Sequence, residues 1–155
     1  MSKLLIEGKK RLYGDVCVQG AKNSALPILA ASILSSSESV LHNCPNLSDV
    51  DTSIKILRYL GCRVKRQDNV LSVKADGMSR SDIPVTMMRE MRSSIIFLGA
   101  ILARTKRARL SFPGGCEIGN RPIDIHLKSF VRMGVDVNEE HGFIKCSCKM
   151  PIGTY

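Results

Sequence analysis

The chain has 155 residues, enough for one domain with a real core, and its 44% hydrophobic and 24% charged content is that of an ordinary globular protein. The absence of Trp, with only three Tyr and four Phe, argues against an aromatic platform for single-stranded nucleic acid. An excess of 23 Lys+Arg over 14 Asp+Glu, net +9, favours anionic partners: nucleic acid, an acidic membrane surface or phosphorylated small molecules.

Residues 3–7 and 15–19 alternate like strands, with Tyr13 and Gly14 as the turn between them. An apolar helix is predicted over 26–34, followed by a short strand at 39–42. A second helix over 51–61 carries Asp51 at its start, Ile54, Leu57 and Leu60 on one face, and Gly61 where a left-handed residue ends a helix. A hairpin follows, with Val64 on one arm, Val70 to Val73 on the other, and Asp68 and Asn69 in the turn.

The same sequence of elements then recurs. A helix over 94–102 and a strand at 108–112 precede a helix over 124–134. There Asp124, Leu127, Phe130, Met133 and Gly134 repeat the earlier punctuation at an offset of 134 − 61 = 73. The second hairpin places Val137 opposite Phe143 to Cys146, around His141 and Gly142. Each unit of about 70 residues thus reads helix–strand–helix–strand–strand with a connecting strand before it, and units of this kind bury their faces against neighbouring copies.

No apolar segment follows the polar residues 1–10, so no secretory leader is read, and the apolar stretches 25–34 and 95–103 are too short to span a bilayer. The six cysteines, Cys17, Cys44, Cys62, Cys116, Cys146 and Cys148, are accordingly read as reduced thiols of a cytoplasmic protein. Cys146 and Cys148 have no matching Cys/His pair and make a poor zinc site.

Three segments carry chemistry. Gly20, Lys22 and Asn23 stand at a strand-to-helix junction, where backbone N–H groups and a lysine attract an anion; a helix cap with a solvated lysine is the plainer alternative. Arg92 opens the matching helix of the second unit, where the helix dipole disfavours a cation unless an anion joins it. Residues 114–122 set Cys116 among glycines, five positions before Arg121. This is either a tight turn around a small buried cysteine or a thiol whose thiolate is favoured. Pro122 and Asp124 suit the helix start that follows, and His126 reads as a surface residue.

Together Gly20-Ala-Lys-Asn-Ser-Ala-Leu-Pro27, Asp49-Val-Asp-Thr52, Met91-Arg-Ser-Ser94 and the stretch from Pro113 to Asp124 closely resemble the UDP-N-acetylglucosamine 1-carboxyvinyltransferases, enolpyruvyl transferases of the EPSP synthase family. The resemblance runs from the first residues to Tyr155, and a cysteine in the glycine loop separates it from 5-enolpyruvylshikimate-3-phosphate synthase. It implies transfer of the enolpyruvyl group of phosphoenolpyruvate to the 3-hydroxyl of UDP-N-acetylglucosamine with release of phosphate, without metal or organic cofactor.

By match to the motifs, Cys116 is the proton donor and forms a covalent phosphoenolpyruvate adduct, and Lys22, Asn23 and Arg121 hold phosphoenolpyruvate. Arg92, Arg121, Pro122, Ile123, Asp124 and Ile125 hold the nucleotide sugar. The implied fold is an α/β, inside-out barrel of βαβαββ-type repeats, with residues 1–20 belonging to the other domain and 21–88 and 89–155 forming two of three repeats. A third repeat and the second domain are then missing, and a C-terminal half is the implied complementing partner; neither nucleic acid nor membrane is. The alternative for the chain alone is a non-catalytic remnant that at most binds UDP-sugar, while a nucleic-acid binder rests on the charge alone.

Overall fold

A computed structural model describes residues 3–112 and 123–153. The first unit comprises α1 (Lys22–Ala31), a 3-10 turn at Ser32–Leu34, β1 (Glu38–Leu41), α2 (Ser48–Tyr59), β2 (Arg63–Gln67) and β3 (Val70–Lys74). The second adds β4 (Asp82–Ile83), α3 (Val85–Glu90), a 3-10 turn at Arg92–Ile96 and α4 (Phe97–Thr105). It continues with β5 (Arg107–Ser111), α5 (Asp124–Arg132), β6 (Asp136–Glu140) and β7 (Phe143–Ser147).

Local chemistry explains these elements. α2 buries Val50, Ile54 and Leu57 along one face, has Asp49 and Asp51 in its first turn and Arg58 in its last, as the helix dipole favours. Gly61 ends it at φ +101°, and a β-carbon there would come within 2.5 Å of the Gly77 carbonyl oxygen. α5 repeats the pattern with Asp124 in the first turn, Arg132 in the last and Gly134 at φ +78° beyond it. In the hairpins Leu71 and Val73, and likewise Ile144 and Cys146, alternate into the core.

The duplication is visible in the sheets. The first has the order β1-β3-β2, and the second β4-β5-β7-β6, in which β5, β7 and β6 repeat the first. Lys74 is flanked by Glu38 and Arg63, just as Ser147 is flanked by Arg107 and Asp136. The offsets are 107 − 38 = 69, 147 − 74 = 73 and 136 − 63 = 73. Even the chain exits correspond. Ser79 N–H donates to the Leu60 carbonyl at 3.1 Å and Ile152 N–H to that of Met133 at 2.9 Å, both partners again 73 apart.

Both units share one core, in which α1 packs on α2 and α4. Polar contacts cross the seam: Lys55 Nζ to Glu90 Oε2 at 3.0 Å and Tyr59 O–H to Asp82 Oδ2 at 2.9 Å. Phe130 lies over Gly99, where a β-carbon would meet its ring at 3.2 Å, so α5 seats closely on α4.

Three expectations need correction. The first helix starts at Lys22 rather than 26, because the amides of Ser24 and Ala25 already bond to the Ala21 carbonyl. The helix expected from 94 begins as the 3-10 turn and becomes α-helical at Phe97, ending at Lys106 in the left-handed region. Residues 3–7 and 15–19 form no strand, and Leu4, Leu5, Val16 and Val18 stand exposed. A strand needs a ladder partner, and none reaches these segments among the described residues.

Candidate functional site

Lys22 and Asn23 occupy the first turn of α1, both exposed. A cation at that end of a helix opposes the dipole. Asp49 offsets this: its Oδ2 lies 2.9 Å from Lys22 Nζ, and it sits in the first turn of α2, where a carboxylate is favoured. The Lys22 side chain is 49% exposed and that of Asp49 26%, so the pair contributes at most about 1 kcal/mol. An anion can therefore displace Asp49 from the lysine at little cost.

Gly20 brings the backbone against the loop after β1. A β-carbon there would run into the Asn43 carbonyl and lie 3.3 Å from Pro45 Cδ. Gly20→Ala is expected to cost ~1–3 kcal/mol through overpacking against backbone that cannot yield. A thermal melt unchanged from the parent would contradict it. Beside this contact Ser24, Ile28, Leu41, His42 and Cys44 line a cleft of about 310 Å³.

Arg92 lies half-buried at the head of the 3-10 turn before α4, and that turn packs against α1. Its neighbours fix it. Met91 and Ser94 are buried, Ser94 N–H donates to the Met91 carbonyl at 3.0 Å, and Ser53 O–H reaches Met91 Sδ at 3.6 Å. The fold thus joins the elements carrying Lys22, Asn23, Asp49 and Arg92.

Ile123, Asp124 and Ile125 stand at the start of α5. The hydrogen bond from Lys128 Nζ, 3.2 Å from Asp124 Oδ2, chiefly holds the Asp124 carboxyl below its ordinary value, with backbone N–H groups of the helix end adding to it. Ile125 is 72% exposed, an apolar side chain offered to solvent beside that carboxylate, and His126 is exposed as expected. Cys116, Arg121 and Pro122 lie outside the described residues. Their segment is nevertheless marked by the duplication: the offset between units steps from 69 to 73 between β5 and β6, so the second unit carries four additional residues there.

The remaining thiols divide sharply. Burial pushes the Cys44 thiol up, and pushes Cys62 and Cys146 up to about 11, while Cys17 is exposed and Cys148 partly so. Below pH 9 Cys62 and Cys146 are protonated folded or unfolded. Between the ordinary thiol value of 9.0 and about 11 the unfolded chain releases protons that the native state retains, so stability falls as pH rises. The melting temperature is expected to drop across that window, and less so in a Cys62→Ala, Cys146→Ala variant.

Among the described residues no group of three or more His, Cys, Asp or Glu could hold a metal ion, and no helix is long and apolar enough to cross a membrane. Sequence reasoning did not find the Lys22–Asp49 pair. Its signal was the pair of aspartates in the first turn of α2 within a quoted motif, but 27 residues separate the partners (49 − 22).

A duplicated helix–strand–helix–strand–strand scaffold, with a further strand before the second unit and Lys22 and Arg92 at matching helix starts, is the architecture of an enolpyruvyl transferase fold. The family model for EPSP synthase (3-phosphoshikimate 1-carboxyvinyltransferase) matches residues 6–152, and the chain belongs to that family. Curated relatives include UDP-N-acetylglucosamine 1-carboxyvinyltransferase 2 of Caldanaerobacter subterraneus subsp. tengcongensis, 54% identical over 94% of this chain and 35% of the relative's length. UDP-N-acetylglucosamine 1-carboxyvinyltransferase 1 of Symbiobacterium thermophilum is 45% identical over 94% of this chain and 34% of its own length. The chain thus spans about a third of the length of these relatives.

Among solved structures, the enolpyruvyl transferase NikO from Streptomyces tendae superposes with a TM-score of 0.80 at 24% identity, covering 94% of this chain and 32% of that one. EPSP synthase from Acinetobacter baumannii gives 0.66 at 14%, covering 92% and 33%. Both likenesses show the fold.

Proposed function

We propose that this chain supplies one wall of the site of a UDP-N-acetylglucosamine 1-carboxyvinyltransferase, acting in the first committed step of peptidoglycan precursor synthesis in the cytoplasm. The observation that carries this reading is the 54% identity, over 94% of the chain, to the relative of that name. In the proposed reaction the 3-hydroxyl of UDP-N-acetylglucosamine gives its proton to a base of the completed site as its oxygen bonds to C2 of phosphoenolpyruvate, while C3 takes a proton from Cys116. A C3 proton is then lost and the C2–O bond to phosphate breaks, its electron pair leaving with phosphate, which restores the double bond.

Lys22, Asn23 and Arg121 hold the phosphoenolpyruvate anion, and clamps of this kind both position two anions and offset their repulsion. Arg92, Arg121, Pro122, Ile123, Asp124 and Ile125 hold the nucleotide sugar. The two units are two of three in one domain, residues 1–20 belong with the other, and a C-terminal half completes the site. Coverage of only 35% of the relative's length favours a second reading for the chain alone, a remnant that at most binds UDP-sugar. Binding of UDP-N-acetylglucosamine without phosphate release from phosphoenolpyruvate is its signature.

The test is alkylation by an epoxide analogue of phosphoenolpyruvate, read by mass spectrometry. Cys116 is expected to label first, with exposed Cys17 as the comparator and Cys44, Cys62 and Cys146 last. At pH 8 a thiol titrating near 11 is only about 0.1% thiolate, and the thiolate is the nucleophile. Equal labelling of all six, in this chain and in one of family length, overturns the assignment of Cys116.

A further inference from the structure

Cys17 and Cys44 border one cleft of about 340 Å³ together with Asn43, Asn46, Asp68 and Asn69, at the turn end of the first sheet. Neither thiol has a part in the enolpyruvyl transfer. Cys17 is exposed, whereas Cys44 is 5% exposed and fixed, its N–H donating to the Asn69 carbonyl at 2.7 Å. Cys62 and Cys146 are buried elsewhere, after α2 and on β7.

The chain keeps Cys17 near Cys44. At Gly20 the backbone lies against the loop that holds Cys44, since a β-carbon there would run into the Asn43 carbonyl and lie 3.3 Å from Pro45 Cδ. Three residues separate Cys17 from that contact (20 − 17), and they span at most about 10 Å of chain. A disulfide needs its two Cα atoms about 4.4–6.8 Å apart. Residues 15–19 form no helix or strand, so their closure onto Cys44 breaks no ladder. Burial pushes the Cys44 thiol up, with the Arg66 guanidinium opposing. That suits Cys44 to attack on an already oxidised partner rather than to the first encounter with an oxidant.

We propose that Cys17 and Cys44 form a redox pair that a peroxide closes to a disulfide. The Cys17 thiolate attacks one oxygen of hydrogen peroxide; the S–O bond forms, the O–O bond breaks, and hydroxide leaves with its electron pair, giving a sulfenic acid. The Cys44 sulfur then displaces hydroxide from that sulfenic acid, and the Cys44 proton leaves with it as water. Two thiols are thereby oxidised and one peroxide is reduced to two waters. The bond straps the segment before α1 to the loop before α2, beside the helix starts that carry Lys22 and Asp49. It closes a loop of 28 residues (44 − 17 + 1), and a thiol reductant reopens it.

The test treats the intact 155-residue chain with an equimolar amount of hydrogen peroxide, followed by tryptic digestion without reductant. Cleavage after Lys22 separates the two cysteines, so the bond is expected to join residues 12–22 to 23–55, lighter by two hydrogens, before any other pair forms. The melting temperature is expected to rise by about 5–10 °C and to return on reduction. Cys17→Ser, a change at an exposed position, is expected to abolish both the joined peptides and the shift. The absence of that joined pair, earlier joining through another cysteine, or Cys17 oxidised beyond the sulfenic acid with Cys44 still free each overturns the proposal. So does a bond that leaves the melting temperature unchanged, or a shift that survives Cys17→Ser. Cys116 takes no part, so such a failure leaves the assigned reaction standing.

Discussion

Phe97→Ala is expected to remove ~3–5 kcal/mol of stability, the usual cost of emptying a fully buried aromatic site. Phe97 is 0% exposed and begins α4, the helix that packs on α1 and on the 3-10 turn after it. Leu98, Ile101 and Leu102 beside it are also at or below 1% exposed, so the cavity has no flexible rim to collapse it. Against a typical total of ~5–15 kcal/mol, such a loss leaves the fold marginal. Urea unfolding should show a midpoint lowered by a third or more at unchanged slope. Phe97→Leu, which retains most of the volume, should cost about 1.5 kcal/mol or less. An alanine variant that melts within a few degrees of the parent contradicts the central place given to this side chain.

Lys22→Ala should behave in the opposite way, sparing the fold and damaging the site. Its ion pair with Asp49 is partly solvated, so stability should change by less than about 1 kcal/mol. A hydrogen bond to a charged group contributes ~1.5–3 kcal/mol, so protection of Cys116 by phosphoenolpyruvate should weaken roughly 10–100-fold. Lys22→Arg should recover part of it. The decisive comparison is the ratio of the two effects. A large fall in melting temperature with intact protection would make Lys22 a structural residue.

The hairpins and long helices were legible in the sequence because each is defined by local rules. Alternation marks 70–74 and 143–147, and Gly61 and Gly134 announce the ends of α2 and α5. The start of α1 was less legible because Pro27, inside the helix, breaks the pattern on which periodicity depends. α3 and the two-residue β4 are too short to show a period at all. Residues 3–7 have the alternation of a strand, but alternation specifies a face, and the pairing partner must come from elsewhere. At the site, Lys22, Arg92 and Asp124 were identifiable by residue type and position at helix starts. The closure of Lys22 onto Asp49 depends on α1 packing against α2, which no local pattern encodes.

The unequal connections between corresponding elements have an evolutionary consequence. Six residues (42–47) join β1 to α2, whereas twelve (112–123) join β5 to α5. Doubling a loop adds only about 0.6 kcal/mol of closure entropy. A gene duplicated from such a unit can therefore take an insertion in one connection at little cost in stability, because strand order and register are already specified by the strands on either side.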